Sequence, residues 1–268
     1  MSGLFTPGGP WAVSGGLLLD VLGTTAVRAY SLRKIRSAYT GYAIKVRRSS
    51  DNATQDIGFD GSNNLDTAAL ASFVGTDSGY IDTWYDQSTT ADNVTQATTG
   101  DQPRIRDAGT TETKNSLPVV RFGVTATVVL KGGSSLTAAE ALGIVTFSNP
   151  TFPDYSSAVS GTGSGGSETG ILGDATSNTN WYESGNFTTI RSNNGSTRAA
   201  SCFNGTLAQV SGRGTGGSWT LPQLGQERNN ANRKWDGWIG EIIIFATALS
   251  SGDRSTAYTE MKTYWGTP

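Results

Sequence analysis

The chain of 268 residues has no histidine and a single cysteine, Cys202. An intrachain disulfide is therefore impossible, and a structural zinc site of the usual Cys/His type is excluded. The same absence rules out a Ser-His-Asp or Cys-His relay. Cys202 lies in the apolar run 199–203, which points to a packing role for the thiol. Charge is scarce: Asp, Glu, Lys and Arg make up 16% of the residues and the formal net charge is −2. No global field recruits nucleic acid, and none is expected as a partner. Long hydrophobic runs are missing, with no window near the roughly 18 consecutive apolar residues of a membrane span. The first basic residue is Arg28, so a secretory signal with a positive n-region is not expected. Synthesis in a cytoplasm is the expectation, and the five Asn-x-Ser/Thr sequons (Asn52, Asn93, Asn186, Asn194, Asn204) read as a by-product of composition.

Glycine is plentiful, at 35 residues, and Ser, Thr and Asn are abundant. Such a composition suits many short strands joined by turns, in one large all-β domain long enough to bury its own core. Residues 1–25 form a Gly- and Pro-rich segment around Phe5, Trp11, Leu17, Leu18 and Leu19. Two readings of this arm stay open: it lies over the domain's own sheet as a first strand, or it anchors the chain to a neighbouring subunit or particle. The domain itself is placed at 26–268.

Within 30–39, Leu32, Ile35 and Tyr39 share one face at helical spacing and predict a short helix ended by Gly41. Residues 42–48 alternate as a strand with Tyr42, Ile44 and Val46 on its dry side. Seven Lys or Arg between Arg28 and Arg48 read as a solvated face and strand edge. Strands are expected at 117–122, 125–130, 144–147, 169–173, 180–183, 188–191, 197–204 and 207–210. A short helix is expected at 138–142 and a Ser/Gly loop at 156–167. Asn204-Gly205 is a two-residue turn signal. A last strand at 238–245 precedes a helix capped by Ser250, with Ala257, Tyr258, Met261, Tyr264 and Trp265 on its apolar face.

Residues 29–105 carry Tyr39-Thr40-Gly41, Val46-Arg47-Arg48, Ser50-Asp51, Asp56-Ile57-Gly58, Tyr85-Asp86-Gln87-Ser88 and Thr95-Gln96 in that order. This block resembles the opening of the catalytic domain of the arabinofuranosidase B family of α-L-arabinofuranosidases. The same block also resembles one found in tailed-bacteriophage virion proteins, without the enzyme's other features. The strand before the C-terminal helix resembles the last strand of laminin-G and concanavalin-like sandwiches. The implied fold is an all-β, concanavalin-like jelly-roll sandwich with a short helix in its N-terminal half and another at its C-terminus.

The resemblance also implies two carboxylates about 5 Å apart for retaining hydrolysis. In the family the nucleophile is the Glu of Asp-Leu-Glu-Asn, and this chain has no Glu-Asn pair. The family's acid is an Asp just before an Asn-x-Asn run. Aligned on Asn230-Ala231-Asn232, that position is Asn229, which cannot deliver a proton. The family's adjacent cysteine pair is missing as well.

The expectation from these departures is a non-enzymatic virion component with no catalytic residue. It would be displayed on the particle exterior, contact other virion proteins through the arm, form a homo-oligomer and bind host-surface glycans. Candidate sugar contacts are Trp181, Tyr182, Trp219, Asn229, Asn230, Trp235 and Asp236, whereas Trp84 and Trp238 read as core. No cofactor is expected; a Ca²⁺ site in the 51–60 loop or near Asp86 has no dense ligand pattern behind it. The alternatives are an α-L-arabinofuranosidase-type hydrolase using Glu183 and Glu227, and a free carbohydrate-binding module.

Overall fold

A computed structural model describes residues 16–123, 128–162, 168–174, 176–183, 187–227 and 230–268. Strands dominate it. In the first half they are β1 (Ala26–Ser31), β2 (Ile44–Arg48), β3 (Thr54–Ile57), β4 (Gly79–Trp84), β5 (Val94–Thr95) and β6 (Arg104–Asp107). Five short strands follow: β7 (Thr110–Thr111), β8 (Thr113–Lys114), β9 (Leu117–Pro118), β10 (Val120–Arg121) and β11 (Leu130–Gly132). The long strand β12 (Leu136–Phe147) is succeeded by β13 (Ser157–Thr162), β14 (Glu168–Leu172) and β15 (Thr189–Ser192). The chain then runs through β16 (Ala208–Leu224), β17 (Gln226–Glu227), β18 (Asn230–Lys234) and β19 (Gly237–Phe245). Helices are α1 (Leu18–Val21), α2 (Thr67–Val74) and α3 (Ser251–Trp265).

The main sheet runs β3-β2-β4-β5-β11-β16-β12-β19-β10-β6-β7, and a β4–β6 pairing brings it back on itself. Two walls therefore face each other across one core, which is the sandwich solution to burying a sheet face. Alternation sets the faces. On β12, Ala141, Val145 and Phe147 enter the main core, while Leu142 and Ile144 point to a second cluster. β19 divides likewise, with Ile242 and Ile244 inside and Ile243 and Phe245 outside. The outer cluster is covered by α3 through Ala257, Met261 and Trp265. The helix starts as its sequence predicts, with Ser250 Oγ accepting from Asp253 N, and ends at left-handed Gly266.

Two buried glutamates tie this outer layer down. Glu140 of β12 takes both Arg254 Nε (2.7 Å) and Nη2 (2.8 Å), and also accepts from Leu249 N. Glu241 of β19 accepts from Ser31 Oγ at 2.7 Å and Arg33 Nε at 2.9 Å. Arg33 reaches Glu260 of α3 as well, and its guanidinium lies 4.1 Å from the Tyr264 ring centroid. Burial would lower the Arg33 pKa, but Glu241 and Glu260 outweigh it and hold it above the ordinary value. These carboxylates are structural.

Several expectations are corrected here. Residues 30–39 are no helix: Tyr30 and Ser31 belong to β1, paired antiparallel with β19, and an irregular segment follows. Its backbone is satisfied by a side chain instead of a helical ladder. Gln87 Oε1 accepts from Ile35 N, and Gln87 Nε2 donates to the carbonyls of Ser31 and Arg33. Gly41 has no left-handed role; a Cβ there would sit 2.5 Å from Tyr39 Oη. Tyr42 is exposed, off the dry face of β2. Arg28, Arg33 and Arg47 are buried, so the basic run is not a solvated face: Arg28 pairs with Asp92 and Arg47 with Gln102.

Residues 138–142 continue β12, because β16 and β19 flank that strand on both edges. The expected 156–167 loop is instead largely the β13–β14 hairpin, although 163–167 fall outside the described residues. Residues 180 and 181 make isolated bridges only, Asn180 to Ala199 and Trp181 to Gly173. Asn204 and Gly205 have φ of 54° and 76°, and Thr206 N closes the turn on Phe203 O at 3.0 Å. That is the left-handed pair this dipeptide favours. Of the expected arm, Leu18 is buried in the outer cluster as part of α1, with Leu19 packed beside it. Leu17 precedes that helix, and Phe5 and Trp11 lie outside the described residues. Gly23 N and Thr24 Oγ1 bond Asp253, so residues 18–24 dock on their own domain.

Candidate active site

The tryptophans expected to stack on sugar are in the core. Trp181, Trp219 and Trp235 are each fully buried. Trp181 and Trp235 lie nearly parallel, 9° apart with centroids at 6.4 Å, and both contact Phe152. Trp181 Nε1 donates to Ser192 Oγ and Trp235 Nε1 to Thr146 O. Trp219 packs on Phe187 in a different part of the core. Large aromatic faces gain most where protein covers them, and these are covered. Trp84 is buried as expected, whereas Trp238 is half-buried and donates to Glu112. Cys202 is buried, and burial pushes its thiol pKa well up.

Asp236 is half-buried, paired with Arg121 Nη2 at 2.7 Å and accepting from Asn149 Nδ2 at 3.2 Å. An open cleft of about 460 Å³, lined by Asn149, Pro150, Thr151, Phe152, Pro153 and Asn178, runs beside it. Asn229 lies outside the described residues, and Asn230 pairs through its backbone with Glu227.

The β17–β18 hairpin gathers the groups suited to acid–base chemistry. It starts at Gly225, whose φ of +90° and close approach to the Phe122 ring leave no room for a Cβ. Glu227 on β17 is fully buried, and its Oε2 meets Arg233 Nη1 at 3.1 Å. Arg233 Nε holds Asp154 Oδ2 at 3.2 Å. One guanidinium thus separates two carboxylates, one with a side chain 0% exposed and the other 43% exposed. Both carboxylates meet one guanidinium, at 3.1 and 3.2 Å, from different segments of the chain. The same guanidinium lies 4.7 Å from the Tyr155 ring centroid, and Tyr155 makes an edge contact with Tyr182 at 4.6 Å.

Glu183 does not join this group. It pairs with Arg191 and accepts from Ile190 N at 2.8 Å, which fastens β15. Sequence reasoning named Tyr182 and Glu227 but missed Asp154, Tyr155 and Arg233. No motif marks these three; an Asp-Tyr step after Pro153 is the one local signal. Among the described residues, no group of three or more Asp, Glu, Cys or His could hold a metal.

Fold and site together define, at the level of class, an antiparallel β-sandwich with paired carboxylates beside tyrosine rings. The sequence model of the α-L-arabinofuranosidase B catalytic domain matches residues 19–224, and the chain belongs to that family. No curated protein matches the chain. Among solved structures, an arabinofuranosidase complexed with arabinofuranosyl-α-1,2-xylobiose superposes with a TM-score of 0.60 at 13% identity, covering 91% of this chain. A mutant glycoside hydrolase family 54 α-L-arabinofuranosidase soaked with 4-nitrophenyl α-L-arabinofuranoside gives 0.55 at 14% identity and 89% coverage. A third, soaked with a cyclic sulfate inhibitor, gives 0.56 at 14% identity and 89% coverage. At such identities the likeness is one of fold. The chain spans 62–64% of the length of these proteins.

These matches overturn the expectation of a non-enzymatic virion component. Family and structural neighbours are glycoside hydrolases, and none of them is a phage particle protein.

Proposed function

We propose that this chain is the catalytic sandwich of a glycoside hydrolase acting on α-L-arabinofuranosides. The observation that carries the reading is the family match over residues 19–224. The carboxylate cluster supports it from the side of chemistry. By resemblance the family's acid maps to Asn229, which falls between β17 and β18 in the sequence, and those two strands carry Glu227 and Arg233. Asp154 supplies the carboxyl that an asparagine at 229 cannot.

Asp154 is the more exposed of the two carboxylates, so it meets a substrate first. It is assigned as general acid toward the leaving oxygen. Glu227 is the anion behind it, and its buried charge is compensated by Arg233. Contact between a sugar and Glu227 requires the guanidinium to shift along the Tyr155 ring. Tyr155 and Tyr182 wall the site on that side.

The test is hydrolysis of 4-nitrophenyl α-L-arabinofuranoside by the wild type and by Asp154→Asn, Glu227→Gln and Glu183→Gln. Asp154→Asn and Glu227→Gln are expected to lower kcat by ~10²–10⁴-fold, the usual worth of a positioned acid or base. Glu183→Gln is expected to keep the rate. A wild type with no turnover refutes the function, and full activity in Asp154→Asn refutes the assignment.

A further inference from the structure

The signature segments 39–41, 56–58 and 85–88 lie in or beside β2, β3 and β4, and the Asp154–Glu227 cluster makes no use of them. Beside β3, β2 and β4 the backbone at 43, 57 and 85 meets, while Asp86, Gln87 and Ser88 turn to the buried side. Ala43 N donates to Ile57 O at 2.9 Å, and Tyr85 N donates to Ala43 O at 3.0 Å, which locks the three segments edge to edge. Tyr39 folds back over Gly41, where a side chain would collide with its ring, and its hydroxyl donates to Tyr42 O at 2.8 Å. The Tyr39 ring rests on Phe59 at 6.4 Å, and burial pushes its hydroxyl pKa up to about 12.

This scaffolding presents Tyr42. Among the described residues, it is the one large aromatic side chain left exposed, at 51%. Its ring stands 6.4 Å from that of Tyr85, tilted by 46°. Tyr85 Oη donates to Asp56 Oδ1 at 2.6 Å, and Lys45 faces Asp56 across the β2–β3 ladder. Asp82 on β4 precedes Thr83, which pairs with Lys45 across the β2–β4 ladder, and its carboxylate accepts from Thr83 Oγ1 at 2.8 Å. An aromatic face held rigid on a backbone clamp loses little entropy on contact. A rim of carboxylates and an ammonium group supplies acceptors and donors for hydroxyls.

We propose that Tyr42 and Tyr85, with Asp56, Asp82 and Lys45, form a second binding platform for an uncharged oligosaccharide. A ring with one weakly apolar face and a hydroxyl edge fits this arrangement. A purely apolar partner would strand the rim groups, and an anionic polymer would meet two carboxylates. The platform holds the polymer while the β17–β18 hairpin acts on its side groups. Choosing an arabinofuranose-bearing polymer as ligand rests on the function proposed above.

Native affinity electrophoresis through soluble arabinoxylan tests it on the wild type, Tyr42→Ala and Tyr42→Phe. Melting temperatures of both variants should match the wild type, because the Tyr42 side chain is half in solvent. The expected result is retardation of the wild type and of Tyr42→Phe, with Kd raised on the order of tenfold in Tyr42→Ala through loss of one stacking contact. Unretarded wild type, equal retardation of Tyr42→Ala, or a loss in Tyr42→Phe as large as in Tyr42→Ala overturns the platform. Failure of the catalytic reading is seen separately, as absence of aryl-arabinofuranoside turnover.

Discussion

Replacing Arg33 with Met removes the cation from between two carboxylates while nearly keeping the volume of the side chain. Glu241 has no solvent exposure, and Arg33 gives it two of its three hydrogen bonds, at 2.9 and 3.2 Å. The variant leaves it only the Ser31 hydroxyl at 2.7 Å. Breaking a buried pair by deleting one partner costs about 3–5 kcal/mol. Loss of the guanidinium from the Tyr264 ring adds about 0.5–1 kcal/mol. Glu260 contributes little, because its side chain is 16% exposed and can turn to water. The sum of roughly 4–6 kcal/mol is a large part of the stability of an ordinary domain. Arg33→Met combined with Glu241→Gln leaves no orphan charge and is expected to recover about half of the loss. Urea unfolding of the wild type, both singles and the double variant gives the coupling energy directly. A single variant costing less than about 1 kcal/mol, or a coupling near zero, would refute the reasoning.

Two further outcomes follow from local geometry. Gly225→Ala puts a methyl group into the Phe122 ring at a φ of +90°; strain and overpacking together are expected to cost about 2–5 kcal/mol, read as a lowered urea midpoint. An unchanged midpoint would mean that the hairpin carrying Glu227 is looser than described. For Asp92, burial would raise the carboxyl pKa, but Ser134, Arg28 and the Gly133 amide outweigh it and hold the pKa below the ordinary value. A carboxyl depressed in the folded state gives stability that is full above the unfolded pKa of about 3.9 and is lost as pH falls through the folded one. Asp92→Asn should therefore lower stability at pH 7 and narrow its gap to the wild type as pH drops below about 4; a gap that does not change with pH would exclude this linkage.

Elements set by near neighbours were legible in the sequence. The strand 44–48, the closing strand and the capped helix 251–265 lie where alternation and Ser250 predict them. Residues 30–39 were not, because Gln87, more than fifty positions away in sequence, supplies the backbone partners that the helix would have supplied. Residues 138–142 carry helix-favouring Ala, Glu and Leu, yet two flanking strands draw them into β12. The candidate site was half legible. Glu227 and Tyr182 could be named from their types, but Asp154 is 79 residues from the arginine that joins it to Glu227.

By itself the sequence determined the all-β class, the family signature and the exclusion of histidine chemistry, a Cys/His zinc site and an intrachain disulfide. Composition and short-range patterns suffice for these. Only the tertiary structure decided which polar and aromatic groups face water. It buried Trp181, Trp219 and Trp235, took Arg28, Arg33 and Arg47 inside, and left Tyr42 outside. A buried charge or ring is stabilised by partners that the chain brings from afar, and residue type alone does not identify them.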